Sequence, residues 1–185
     1  MGIFAWIILG IIGLAVVWLI GTYNSLVRSK SRTDESWSDI DVQLRRRYDL
    51  IPNLVEAVNG YSKYESDVFQ KVTAARTAAM SATGMEEKAK AENMLSATLK
   101  SLFAVSESYP ELKASQNFLQ LQDELSDTEN KIQAARRFYN SNVLNYTVKL
   151  NSFPSNLVAG PFGFTARQYF EIGEEVAKQP VGVKF

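Results

Sequence analysis

The chain has 185 residues, with 20 Lys and Arg against 20 Asp and Glu, and contains neither cysteine nor histidine. Those absences exclude disulfide frameworks, zinc–thiolate centres, cysteine nucleophiles, histidine metal ligands and Ser-His triads, so any catalysis would rest on carboxylates, lysine, tyrosine, serine or threonine. The balanced charge lacks the basic surplus of a nucleic-acid-binding domain, and the length suits one domain with a short appendage.

The first element is apolar. "MGIFAWIILGIIGLAVVWLIGTYNSLVRSK" carries no charged side chain before Arg28. The span from Gly2 to Gly21 is about the length a helix needs to cross a hydrocarbon core. Its twelve Ile, Leu, Val and Phe side chains favour insertion by about 5 kcal/mol before the glycines subtract. Trp6 and Trp18 stand near its two ends, with Tyr23 just beyond, where interfacial aromatics belong. A cleaved signal peptide is the rival reading, but there is no basic side chain ahead of the apolar run, and "LIGTYN" is not a small-residue cleavage site. "MGIFAW" also lacks the Ser or Thr of a myristoylation signal. The spacing therefore predicts a retained anchor over residues 1–27. Arg28, Lys30 and Arg32 flank only its C-terminal end, which places the N-terminus outside and the bulk of the chain in the cytoplasm. Gly2, Ala5, Gly13 and Gly21 lie near one face of this helix, and small residues in line let membrane helices approach closely.

From Thr33 the pattern stays helical. Trp37, Ile40, Leu44, Ile51, Leu54, Val58, Tyr61, Val68 and Val72 recur at steps of three, four or seven, the mark of an amphipathic helix. "ATGMEE" breaks it at 82–87, with Gly84 as punctuation. A second helix fits Met85 to Glu107, with Leu95, Leu99 and Leu102 on one side. Pro110 in "SYPEL" suits a first helical turn, and a long helix then runs to about Asn151, through Phe118, Leu125, Ile132, Tyr139 and Tyr146. A short helix is expected from Thr165 to Lys178. Strand-like alternation, internal repeats and low-complexity runs are absent.

Pro52 poses two alternatives. The apolar register runs through it, since Trp37, Leu44, Ile51 and Val58 are each seven apart, and this predicts a kinked helix. A tight turn at Pro52 would instead give two helices of about 40 and 45 Å, at about 1.5 Å per residue, which pack without the overhang of one long rod. Geometry favours the turn.

The triplet at 45–47 also divides. Arg45 and Arg46 project to solvent, whereas Arg47 falls on the apolar side, seven residues after Ile40 and seven before Leu54. An arginine there needs a carboxylate, because an unpaired buried charge is very costly. The long helix offers Glu129 or Asp127, with Arg136 nearby, so a structural polar layer of Arg47, Asp127, Glu129 and Arg136 is expected. No aromatic side chains accompany the triplet for base stacking, which argues against nucleic acid.

Three blocks then carry a resemblance. "YNSLVRSKSRTDESWSDIDVQLRRRYDLIPNLVEAVNGYSKYE" (23–65), "YPELKASQNFLQLQDELSDTENKIQAARRFYNSNVLNYTVKLNSFP" (109–154) and "GPFGFTARQYF" (160–170) resemble the LemA family over essentially the whole chain. The resemblance implies an all-α protein: a single-pass N-terminal transmembrane helix, then a long antiparallel, up-and-down four-helix bundle. The expected division is 1–27 anchor, 28–154 cytoplasmic bundle and 155–185 aromatic tail, in a bacterial cytoplasmic (inner) membrane. The resemblance implies no assigned catalytic residues, cofactor or metal. Family members are often encoded near membrane proteases, which is an association only.

Four functions follow. A self-assembling membrane scaffold, a homo-oligomer in the lipid bilayer, is favoured by the anchor, its small-residue face and the long helices. The aromatic tail, Phe153, Phe162, Phe164, Tyr169 and Phe170, would either join copies or cap the membrane-proximal end of the bundle. An adaptor for a membrane-protein partner such as a protease would need a binding surface, for which the acidic run 122–130 is a candidate, although such runs are more often solvated helix faces. Catalysis is not expected: Asp123 and Asp127 are four apart on one helical face, but that spacing is common, and a di-iron bundle would need histidines. A pore would need a polar stripe, and the anchor has none.

Overall fold

The computed structural model describes residues 2–61 and 65–172, and among these the chain is helical with no strand. The elements are α1 (Ile3–Asn59), α2 (Ser66–Ser81), α3 (Met85–Glu107), α4 (Pro110–Lys113), α5 (Gln116–Asn151) and α6 (Asn156–Ala159). The expected helix from Met85 to Glu107 is α3, which starts after Gly84 at φ 85° and carries Glu86 and Glu87 in its first turn, where the helix dipole favours negative charge. Pro110 begins a separate four-residue helix instead of opening the long one. Tyr109 ahead of it is extended (φ −120°, ψ 90°), as the residue before a proline prefers.

Two expectations need correction. There is no turn at Pro52: α1 runs through it and ends at Asn59. A proline inside a helix leaves the carbonyl four residues back without its donor. Here that carbonyl belongs to Tyr48, and Arg76 of α2 donates to it from Nε at 2.7 Å. The tertiary structure thus supplies the missing donor, and Ile51, Leu54 and Val58 stay on one buried face. The break falls instead at Gly60, at the low end of helix propensity, where Gly60 and Tyr61 close the helix with backbone bonds to Glu56 and Val58.

The second correction concerns the tail. Residues 164–172 are not helical, and 173–178 lie outside the described residues. Side chains take up backbone carbonyls that a helix would have used: Tyr139 donates to the Gln168 carbonyl at 2.9 Å and Arg136 donates to that of Ile172. Gly163, at φ 71°, turns the chain into this extended run, a backbone region glycine enters without strain.

The chain forms two compact units. The first joins Met1–Ser38 to Arg137–Gln168. Its apolar stretch reaches a mean hydropathy of 2.8 with none of it buried, so α1 is long and apolar enough to cross a membrane. Below that stretch Leu26, Tyr146, Leu150, Val158 and Ala159 make a core, with Phe164 packed on it. Residue numbers rise along α1 as they fall along α5: Ser25 and Ser29 meet Lys149, and Trp37 meets Tyr139 edge-on at 5.5 Å.

The second unit joins Asp39–Arg136 to Tyr169–Phe185, of which 173–185 lie outside the described residues. Here α2 packs on α3. Phe69, Val72, Ala75 and Ala79 line one face of α2, and Leu95, Leu99 and Leu102 one face of α3. Ile40, Leu44, Ile51, Leu54 and Val58 of α1 are buried in the same unit.

Candidate functional site

The most polar buried place in the second unit is built around Arg47. The heptad step from Ile40 to Leu54 carries it inward, and its side chain is 2% exposed. Its Nη1 lies 3.2 Å from a Glu129 carboxylate oxygen of α5 and 3.3 Å from one of Glu92 of α3. Its Nη2 donates to Ser96 Oγ at 2.7 Å. Glu92 is fully buried, whereas Glu129 is half exposed, at 53%.

Tyr48 completes the cluster. Its hydroxyl hydrogen-bonds Glu92 Oε1 and also reaches the Ala79 carbonyl at 3.3 Å. A phenol has one proton to give. It goes to Glu92, whose carboxylate oxygen is the nearer acceptor, and the Ala79 carbonyl stands close by. Burial, the largest influence, pushes the Glu92 carboxyl above the ordinary carboxylate range, although the Tyr48 bond and the charges of Arg47 and Lys88 pull the other way. Burial, followed by the Glu92 bond, pushes the Tyr48 phenol up as well. The layer thus joins Arg47 to two carboxyl groups, Glu129 near the surface and Glu92 in the interior.

The expected members of the layer part company. Arg47 and Glu129 are brought together. Asp127, as exposed as Glu129, pairs instead with Lys131 at 2.7 Å, whose hydrogen bond holds its carboxyl below the ordinary range. Arg136 serves the Ile172 carbonyl. A Cβ built on Gly2, Gly13 or Gly21 would meet nothing within 4 Å; Gly2 and Gly13 are exposed, Ala5 is partly exposed, and Gly21 lines a cleft with Lys149 and Ser155. The tail aromatics divide too. Phe162 and Phe164 pack on Tyr23 at 5.1 and 5.6 Å, Phe170 is fully buried, and Phe153 and Tyr169 are exposed.

Sequence reasoning missed Glu92, Tyr48, Ser96 and Arg76. A signal existed for Glu92: it stands three residues before Leu95 and seven before Leu99, on the apolar stripe of α3, as Arg47 does on that of α1. Beside the layer, between α3 and α5, lies a groove of about 620 Å³. Leu99, Phe103 and Leu125 form its apolar part, the amides Gln122, Asn130 and Gln133 and the charged Arg47, Lys100, Glu129 and Arg136 its polar part, and Ile172 lines it as well. No group of three or more carboxylates able to hold a metal ion occurs among the described residues.

Residues 36–185 match the family model described as the LemA family. The chain belongs to the LemA family. It is 27% identical over 150 residues to the Protein LemA of Metamycoplasma hominis, covering 80% of this chain and 68% of that protein. It is 24% identical over 188 residues to Magnetosome protein MamQ 2 of Paramagnetospirillum magneticum, with 85% and 69% covered. Magnetosome protein MamQ of Magnetospirillum gryphiswaldense is 23% identical over 178 residues, with 82% and 65% covered. The LemA family match takes in the Arg47 layer and the turn after α5, and it begins beyond the apolar part of α1.

Proposed function

We propose that this LemA family chain is a non-enzymatic, membrane-anchored scaffold that self-associates through its anchor and its helical body. The observation that carries the reading is the apolar start of α1, fully uncovered and with open glycine positions. In this reading the helix crosses a bacterial cytoplasmic membrane once, with the N-terminus outside, and the rest of the chain forms an antiparallel four-helix bundle in the cytoplasm. The opposed numbering of α1 and α5 in the first unit supports that arrangement. The Arg47 layer supports a structural role, because its charges are committed to one another across α1, α3 and α5 and fix their register.

The natural absence of cysteine permits a direct test in native membranes. Gly13→Cys, on the small-residue face, is expected to give a disulfide-linked dimer under mild oxidation. Ile11→Cys, on the opposite face, is not. Equal cross-linking at both positions, or none at Gly13→Cys, contradicts association through this face.

An adaptor for another membrane protein, such as a protease, is the second reading. The groove between α3 and α5 favours it, since apolar side chains flanked by amide and charged ones suit an extended peptide. Retention of a stoichiometric partner by the wild-type chain, lost in Leu125→Lys at the groove floor, would support it over self-association.

A further inference from the structure

The apolar part of α1 runs from Ile3 to Ile20, about 27 Å of helix at about 1.5 Å per residue, close to the thickness of a hydrocarbon core. The first charge comes at Arg28. If α1 crosses a bilayer, as proposed above, the headgroup boundary lies between Gly21 and Arg28. The turn that follows α5 meets α1 in this same stretch and within the same unit. Tyr23 packs edge-on against Phe162 and Phe164, and Leu26 is buried with Val158 and Ala159. Trp18, Thr22, Lys149 and Ser155 line one cleft of about 380 Å³.

The turn shows large apolar side chains to the outside at that level. Phe153 is 79% exposed, Leu157 61% and Phe162 54%. Their neighbours Val158 and Ala159 are buried, so the turn's own core is already made; Phe153 and Leu157 are surplus to it, and Phe162 rests one edge on Tyr23 with its remainder open. Exposed apolar side chains gathered on one short segment mark a surface that meets something, and the segment is continuous with the helix that enters the membrane. Lys149 sits beside it, its Nζ on Ser25 and Ser29, a cation at the height of the phosphates.

We infer that residues 153–162 form a second membrane contact, in which Phe153, Leu157 and Phe162 enter the headgroup–acyl boundary of the bilayer that α1 crosses. The occupant of this surface is a phospholipid interface. The contact holds the unit upright on the membrane by a second point, as interfacial aromatics do. It rests on the anchor reading, and its test separates the two.

The test places single cysteines in the otherwise cysteine-free full chain at Phe153, Leu157, Val16 and Met94, each labelled with a polarity-sensitive fluorophore. The chain is reconstituted in vesicles of phosphatidylcholine and phosphatidylglycerol carrying a spin-label quencher either near the top or near the end of the acyl chain. Phe153→Cys and Leu157→Cys are expected to shift to shorter wavelength and to be quenched more by the shallow label than by the deep one. Val16→Cys should be quenched by the deep label, and Met94→Cys, on exposed α3, by neither. A Val16→Cys probe that escapes quenching overturns the anchor reading and the contact with it. A quenched Val16→Cys with Phe153→Cys and Leu157→Cys in water overturns the contact alone. Blue-shifted but unquenched probes at 153 and 157 also overturn it, because they place the turn against protein.

Discussion

In the unit Asp39–Arg136, Arg47 and Glu92 are drawn inside, 2% and 0% exposed, while in the unit of Met1–Ser38 and Arg137–Gln168, Phe153 and Leu157 are turned out, 79% and 61% exposed. Each reverses the usual sorting of polar and apolar side chains. The inward charges find partners within their unit: Glu129, Ser96 and Tyr48 absorb them. The outward hydrophobics find none there, and they sit beside the helix that is apolar over its whole circumference. The contrast teaches where to look for structure and where to look for function. A polar residue inside, fully partnered, reports on how the helices are registered. An apolar residue outside, beside a membrane-length helix, reports on what the protein touches.

The sharpest way to break the inward half is Arg47→Met in the full chain. Removing one partner of a buried pair costs about 3–5 kcal/mol, to be read from urea unfolding followed by circular dichroism. The double variant Arg47→Met/Glu92→Leu should recover most of that loss, since a well-packed apolar replacement of a buried polar pair is often neutral or better. A double variant no more stable than the single one would show that the layer's shape, not its charge balance, sets the cost.

Next in size is the pairing of Pro52 with Arg76. Arg76→Met leaves the Tyr48 carbonyl without a donor and should cost about 1.5–3 kcal/mol, the range of hydrogen bonds to charged groups. Pro52→Ala returns a backbone N–H to that carbonyl. The same Arg76→Met change made in the Pro52→Ala background should therefore cost far less. Additive losses would mean that Arg76 contributes through something other than the carbonyl.

A smaller effect concerns pH. The folded Glu92 carboxyl titrates above its unfolded value of about 4.3. The folded state then keeps a proton that the unfolded state releases, so this group's contribution is fully present below about pH 4.3 and is lost as pH rises through the folded pKa. Glu92→Gln removes that slope: the stability of wild type relative to the variant should fall as pH rises from about 4.3. A difference that rises instead would mean that Glu92 is held ionised by Arg47. Smallest is Asp127→Asn, which ends an exposed helical pair with Lys131 and should leave the unfolding midpoint unchanged, as exposed pairs contribute little.

Much of this was legible in the sequence, and the limits are physical. The all-helical class, the span of α3 and the membrane-length start of α1 follow from periodicity and from charge-free length. The inward turn of Arg47 followed from its place midway between Ile40 and Leu54, and Glu129 from the need for a carboxylate on the long helix. Asp127 was indistinguishable from Glu129 by that reasoning, because both are about half exposed on α5 and only the neighbour each faces, Lys131 or Arg47, separates them. The passage of α1 through Pro52 was not legible, since the donor that permits it, Arg76, lies on another helix after a break. Nor was the extended tail: whether Gln168 and Ile172 give their carbonyls to a helix or to Tyr139 and Arg136 depends on what α5 presents.

The central claim, a self-associating membrane scaffold, is tested most directly by the mass of the full-length chain extracted gently from membranes, measured by mass photometry at nanomolar concentration. The account predicts one discrete species holding several copies of the chain. A monomer with no retained partner would contradict it.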